Sequence, residues 1–303
     1  MKPNLFIAIA LSLLATFFYA SQTAIVKAYA ATVPLPMIIF IQCLTGLLLF
    51  ILIFFIRGYK AKEIIFTQNR KIHLLRTLCS LSVAFCLFTA VKYIPLVNAM
   101  LLANVAPMIV PFLAYFFLSQ SINHQIWLPI LIGFIGVGFV LHPDGHFFHL
   151  ASLLAFGSSV FAAGTIVMVR NLSRTDSSET ITFYFYFFGT LLTSVFALKY
   201  WVPISAWMAV ILIGVGVLYF ASQYLITYAL RLASAEFVSS LMYMNIVYSA
   251  VISILMWHVT PSVLTWLGIA LTIMGGILCI RVEHRQNRYI YIETEPRPLG
   301  SET

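Results

Sequence analysis

Residues 92–115 read KYIPLVNAMLLANVAPMIVPFLAY. The stretch is apolar enough for hydrocarbon, yet it holds Pro95, Pro107 and Pro111 and the amides Asn98 and Asn104. A proline inside a helix removes a backbone hydrogen bond and frees a carbonyl. An amide is costly in lipid unless it faces protein or water. A helix that only packs against lipid needs neither, whereas a helix lining a path through a bundle uses both.

The rest of the chain supplies the bundle. Of 303 residues, 62% are hydrophobic and only 9% charged, with a mean hydropathy of +1.00. So few polar side chains cannot cover the surface of a soluble domain. Apolar runs of roughly 18–25 residues recur along the chain, the length that crosses a bilayer core as a helix. They are continuous rather than alternating, which excludes barrel strands. The expected fold is an all-α membrane protein with ten transmembrane helices near 5–26, 36–56, 74–94, 96–118, 125–142, 148–169, 180–200, 205–230, 234–257 and 263–281. Pro95 falls in the turn before the fourth of them, where a helix-starting proline is tolerated. The opening run, Lys2 through Tyr19-Ala20-Ser21, has the outline of a signal peptide. It stays apolar to Val26 and nine more spans follow, so it reads as the first span.

The net charge of +8 does not point to nucleic acid, because the basic residues lie between apolar runs. With the N-terminus in the cytoplasm, fourteen Lys and Arg residues fall inside, Arg76 and Arg170 among them, and only Lys27, Lys92 and Lys199 fall outside. That bias obeys the positive-inside rule and puts both termini in the cytoplasm of a bacterial-type inner-membrane protein. Residues 284–303 are polar, contain Pro296 and Pro298, and read as a disordered cytoplasmic tail.

Sliding the chain by 139 residues lays positions 90–141 on 229–280 without a gap. Six of those 52 positions are identical, Trp127 with Trp266 and Gly136 with Gly275 among them, and the helix–turn–helix pattern matches throughout. Residues 1–145 and 146–283 therefore read as two five-helix repeats. Five is odd, so the halves face opposite ways, an arrangement typical of alternating-access transporters.

The stretches AVKYIPLVNAMLLANVAP (90–107) and YALRLASAEFVSSLMYMN (228–245), with the Trp–Gly patterns after each, resemble the ends of the two EamA repeats of the drug/metabolite transporter superfamily. The resemblance covers nearly all of residues 1–282. It implies a central cavity lined by helices one to four and six to nine, with five and ten at the periphery. The chain departs from that family after the fourth and ninth helices. A glutamate is common there, and this sequence has Gln120 and His258.

Polar residues within spans are the informative ones, because residues three or four apart share a helix face. The first helix carries Ser12, Thr16, Tyr19, Thr23 and Lys27 on one stripe, with Gln22 beside it; Gln42 in the second is a weaker case. The fourth aligns Asn104, Pro107, Pro111 and Tyr115. Tyr224 lies deep in the eighth, and the ninth carries Glu236 and Tyr243. The expected substrate-binding residues are Tyr19, Gln22, Asn104, Tyr224, Glu236 and Tyr243, with Gln22, Asn104, Tyr224 and Tyr243 on one cavity. The structural alternatives are interhelical hydrogen bonding, interfacial tyrosines and, for Glu236, a helix-dipole contact near Arg231. Tyrosine and amide groups suit an amphipathic metabolite, including a cation held over ring faces.

Nothing in the spans suggests catalysis. There is no CxxC, HExxH or GxxxxGK[ST] pattern, and no cofactor is expected. HPDGHFFH (142–149) offers His142, Asp144, His146 and His149 as donors, but it reads as a polar turn rather than a metal site. Gly133, Gly136, Gly138, Gly268, Gly275 and Gly276 read as close helix packing within or between protomers, which leaves a homodimer open. The expected function is secondary transport of a small polar or amphipathic metabolite, an amino acid or a derivative. The resemblance makes an S-adenosylmethionine-type nucleoside cation the rival substrate. A membrane-embedded enzyme would need convergent acids, bases or metal ligands, which the spans lack.

Overall fold

The computed structural model describes residues 5–58, 64, 66–118, 125, 127–141, 150–233, 235–258 and 260–294. Its helices are α1 (Leu5–Tyr29), α2 (Leu35–Arg57), α3 (Arg70–Tyr93), α4 (Leu96–Ala103), α5 (Ala106–Leu118), α6 (Trp127–Leu141), α7 (Leu150–Leu172), α8 (Ser178–Lys199), α9 (Ala206–Leu232), α10 (Ala235–Leu241), α11 (Met244–Trp257) and α12 (Val263–Thr294). No strand occurs among the described residues. Their starts and stops follow local chemistry. Ser177 and Ser205 accept from the backbone N–H groups of Thr180 and Met208, capping α8 and α9. Gly58 ends α2 at φ +62°, a left-handed turn that side chains resist.

Eight spans among the described residues are long and apolar enough to cross a membrane. The α6 helix and the apolar start of α12 are shorter, and they pack on each other. Two of the eight spans are broken: α4 stops at Ala103 and α5 begins at Ala106, while α10 stops at Leu241 and α11 begins at Met244. The expected continuous fourth and ninth helices are corrected accordingly. At the first break Pro107 has no N–H to give the carbonyl of Ala103; it sits in the first turn of a new helix, where none is needed. Of the three prolines in 92–115, Pro111 is the one that lies beyond the first turn of a helix. The break also ends the expected Asn104–Tyr115 stripe, since Asn104 is buried and Tyr115 is exposed. α12 runs on to Thr294, into the stretch expected to be a tail; Glu, Arg and Gln in 283–294 are good helix formers.

The two halves share a layout. Offset by 139 residues, the end of α3 at Tyr93 falls on the end of α9 at Leu232, the start of α4 at Leu96 on that of α10 at Ala235, and the end of α5 at Leu118 on that of α11 at Trp257. Packing is likewise unchanged when the halves are exchanged. α1 lies on α9 as α7 lies on α3; α2 faces α8, and α6 faces α12. Even one unusual bond recurs. Lys27, in the last turn of α1, donates to the carbonyl of Val91 at 2.6 Å, and Arg170, in the last turn of α7, donates to that of Leu230 at 2.8 Å. Val91 and Leu230 are 139 residues apart. In each half a basic residue thus satisfies carbonyls that the end of the third helix leaves without donors. Large apolar side chains such as Phe55, Ile56, Phe116 and Leu198 are exposed, as lipid-facing positions require.

Candidate functional site

The cavity opens where the halves meet. Its volume is about 100 Å³, and one water takes roughly 10–15 Å³ on the same scale, so it suits a small molecule rather than a chain segment. Much of its wall comes from equivalent positions in the two halves: Ser80 and Tyr219, Val83 and Ser222, Ala84 and Gln223, Ala103 and Met242, Ala106 and Asn245. The two helix breaks therefore sit beside it, at Asn104 on one side and Met242 on the other.

Asn104 and Asn245 form a short amide relay. The Asn104 side-chain nitrogen donates to the Met100 carbonyl at 2.6 Å, and its oxygen accepts from the Asn245 nitrogen at 3.2 Å. The relay fixes the orientation of both amides. It leaves Asn245 Oδ1 buried and without a partner.

Arg76 lies on the same wall with only 1% of its side chain exposed. Nη2 donates to Gln223 Oε1 at 3.0 Å, and the guanidinium carbon stands 4.0 Å from the centroid of the Phe185 ring. Nε and Nη1 find no partner. By sequence Arg76 counts among the cytoplasmic charges, at the third position of the expected third span. α3 begins at Arg70 instead, four residues before the expected start, which carries Arg76 into the bundle. The one signal in the sequence was that position just inside an apolar run.

One turn before Arg76, a polar cluster ties the halves together. His73 Nε2 lies 3.0 Å from Asp176 Oδ2, Thr67 donates to the same oxygen at 3.0 Å, and Asn69 donates to Thr175 at 3.0 Å. His73 stacks on Tyr184 with ring centroids 4.7 Å apart.

Of the expected binding residues, Tyr19 and Asn104 line the cavity. Gln22, Tyr224 and Tyr243 are not on its wall, so the cavity expected to be shared by Gln22, Asn104, Tyr224 and Tyr243 takes only Asn104. Gln22 is fully buried, accepts from Gln42 at 2.7 Å and donates to Thr23 at 3.0 Å. Its oxygen is thus held across helices by Gln42 and its nitrogen within α1 by Thr23. Tyr224 donates to Glu179 at 3.2 Å and stacks on Phe220. Tyr243 is buried at the start of α11 among Leu101, Val105 and Ile246, because the break turns it from the cavity. Glu236 belongs to α10, but its side chain lies outside the described residues. So do His142, Asp144, His146 and His149. Among the described residues no group of His, Cys, Asp or Glu has metal-binding geometry.

The Gln22–Gln42 pair makes a test of that division. Gln42→Leu leaves Gln22 Oε1 buried without a donor and is expected to cost about 1 kcal/mol, the scale of interhelical hydrogen bonds in membranes. Thermal unfolding in detergent reads the loss, and transport per folded molecule is expected to stay at the wild-type rate. A specific fall in transport would return Gln22 to the binding site.

Comparison with known proteins places these features in a family. The model of the EamA-like transporter family matches residues 6–142 and again residues 149–281. A pseudopaline exporter of Pseudomonas aeruginosa is 29% identical over 272 residues, covering 89% of this chain and 92% of its own. A riboflavin transporter of Vibrio cholerae is 28% identical over 224 residues, 73% of this chain and 75% of its own. An S-adenosylmethionine uptake transporter of Rickettsia bellii is 21% identical over 227 residues, 75% and 78%. A solved crystal structure of a protein superposes with a TM-score of 0.70 at 18% identity, over 92% of this chain and 98% of that one.

Proposed function

Because the chain belongs to the EamA-like transporter family, we propose that it is a secondary carrier that moves a small polar or amphipathic metabolite, an amino acid or a derivative, across the inner membrane by alternating access. The two halves rock as inverted repeats around the cavity, with both termini in the cytoplasm. The observation that carries this reading is the cavity itself: a mostly apolar hollow with a few polar groups set into it, Tyr19, Arg76, Asn104 and Asn245 among them, and walled by matching positions of the two halves. Tyr19 and Asn104 contact the substrate, and Glu236 stands as an acid at the cytoplasmic mouth. Gln22, Tyr224 and Tyr243 hold the helices that present them. The pseudopaline and riboflavin relatives support an organic metabolite rather than a simple ion. The S-adenosylmethionine relative keeps the nucleoside cation as a second reading.

Proteoliposomes holding the purified chain are expected to show saturable counterflow of at least one member of a labelled panel of amino acids, amino-acid conjugates, riboflavin and S-adenosylmethionine. Asn104→Ala is expected to lower that flux roughly tenfold, the worth of a buried hydrogen bond to substrate, while leaving protein abundance unchanged. A panel without saturable flux overturns the carrier reading, and full flux in Asn104→Ala removes the amide relay from it.

A further inference from the structure

Arg76 is a buried cation that no carboxylate contacts among the described residues. Among the described residues Asp176 is engaged by His73 and Thr67, and Glu179 accepts from Tyr224. Bringing a guanidinium into the interior is costly unless the charge is paired and its donors are used. Gln223 takes one donor and the Phe185 face offers partial compensation, but Nε and Nη1 are left over. Among the described residues that line the cavity none is acidic and Arg76 is the one charged side chain.

The position also breaks the symmetry of the site. Residue 76 corresponds, at the 139-residue offset, to Val215, which is buried and apolar. Tyr19 likewise has Ala162 as its counterpart across the cavity, since Tyr29 and Leu172 end equivalent helices 143 residues apart. The cavity therefore has one cationic end, in the first half, and an amide acceptor, Asn245 Oδ1, contributed by the second.

We infer that Arg76 is a specificity-determining residue that binds a carboxylate of the transported metabolite, while Asn245 Oδ1 accepts an N–H from the same molecule. This rests on the carrier reading above and adds the polarity of the substrate: a carboxylate at the Arg76 end and a nitrogen donor toward the amide relay. A planar guanidinium suits a carboxylate through parallel hydrogen bonds. A single arginine balances one negative charge, which favours a carboxylate over a phosphate dianion. A purely cationic substrate meets repulsion at this wall.

The test uses the full chain purified in detergent and four probes that share a phenyl body: L-phenylalanine, L-phenylalaninamide, phenethylamine and phenyl phosphate. L-Phenylalanine is expected to raise the Tm, and the amide and the amine, which lack the carboxylate, are not. Arg76→Lys, which keeps the charge but loses the fork, is expected to weaken the L-phenylalanine effect about 10- to 100-fold in half-saturating concentration, the range for a charge-assisted hydrogen bond. Arg76→Met removes an uncompensated charge and is expected to leave the ligand-free Tm equal or higher, with no response to any probe. Equal stabilisation by all the probes, a stronger effect from phenyl phosphate, no shift by L-phenylalanine, or a fall in the ligand-free Tm of Arg76→Met overturns the inference; the last outcome would make Arg76 a structural residue. Probe binding without counterflow in proteoliposomes would sink the carrier reading and leave this one standing. Counterflow that persists in Arg76→Met would do the reverse.

Discussion

Gly275→Leu is expected to leave little folded protein in the membrane. A Cβ built at Gly275 would stand 2.7 Å from the Gly133 nitrogen, 2.7 Å from the Pro129 carbonyl oxygen and 2.9 Å from Gly133 Cα. These are backbone atoms of α6, so no side chain can swing aside. α6 and α12 must separate, and with them goes the contact that joins the last helix of each half. Lipid tails are as apolar as leucine, so helices in a membrane are held by close packing rather than by escape from water. Overpacking alone costs about 1–3 kcal/mol in a tight core, and lost dispersion along the separated helices adds to it. Gly157 and Gly214 have nothing within 4 Å of the same hypothetical atom. Gly157→Ala and Gly214→Ala are therefore expected to match or slightly exceed the wild-type Tm. Size-exclusion profiles and thermal unfolding of the three variants decide the point, and a Gly275→Leu protein as stable as the other two would show that α6 and α12 do not pack this closely.

Asp176→Ala is expected to unlatch one end of the cavity. Its carboxylate holds Thr67 and His73 of the first half from the start of α8 in the second. Losing the hydrogen bonds to a buried carboxylate typically costs about 1.5–3 kcal/mol. If the tie exists only in the state closed at this end, that loss shifts the balance toward the open state by a factor of roughly 10 to 100. Ser80 lines the cavity and is buried. On a background with the four native cysteines replaced, labelling of Ser80→Cys by an impermeant maleimide is expected to rise at least about tenfold in Asp176→Ala. Asp176→Asn keeps an acceptor and is expected to fall between. Unchanged labelling together with a lower Tm would reduce the cluster to a structural tie.

Much of the architecture could be read from residue order, because apolar length and a matching helix–turn–helix pattern are properties of composition and spacing. The breaks in two spans were hidden. Pro107 signals one of them, but Met242-Tyr243 contains neither Gly nor Pro, and only the equivalence of the halves would have exposed it. The polar stripe on α1 was visible, yet its residues divide by geometry. Ser12 and Thr23 bond back to their own helix, Gln22 turns to Gln42, and Thr16 and Tyr19 reach the cavity. A stripe defines a face about 100° wide, and which edge of it meets the hole depends on neighbouring helices. Arg76 was hidden for a different reason. Charge near a span end is normally read for topology, and its burial depends on a helix that starts earlier than the apolar run does.

The lone charge of Arg76 also has an electrical consequence. A unit charge that crosses the whole membrane field does work of about 2.3 kcal/mol per 100 mV. When a carrier reorients, a fixed charge need not travel, because the aqueous vestibules reshape the field around it. If the chain is the carrier proposed above, a bound monoanion cancels the charge of Arg76 and weakens the hold of the membrane potential on that wall. Emptied, Arg76 contributes one positive charge, and the potential then biases which way the vacant protein faces. Voltage would thus act more on the return of the unloaded carrier than on the loaded crossing.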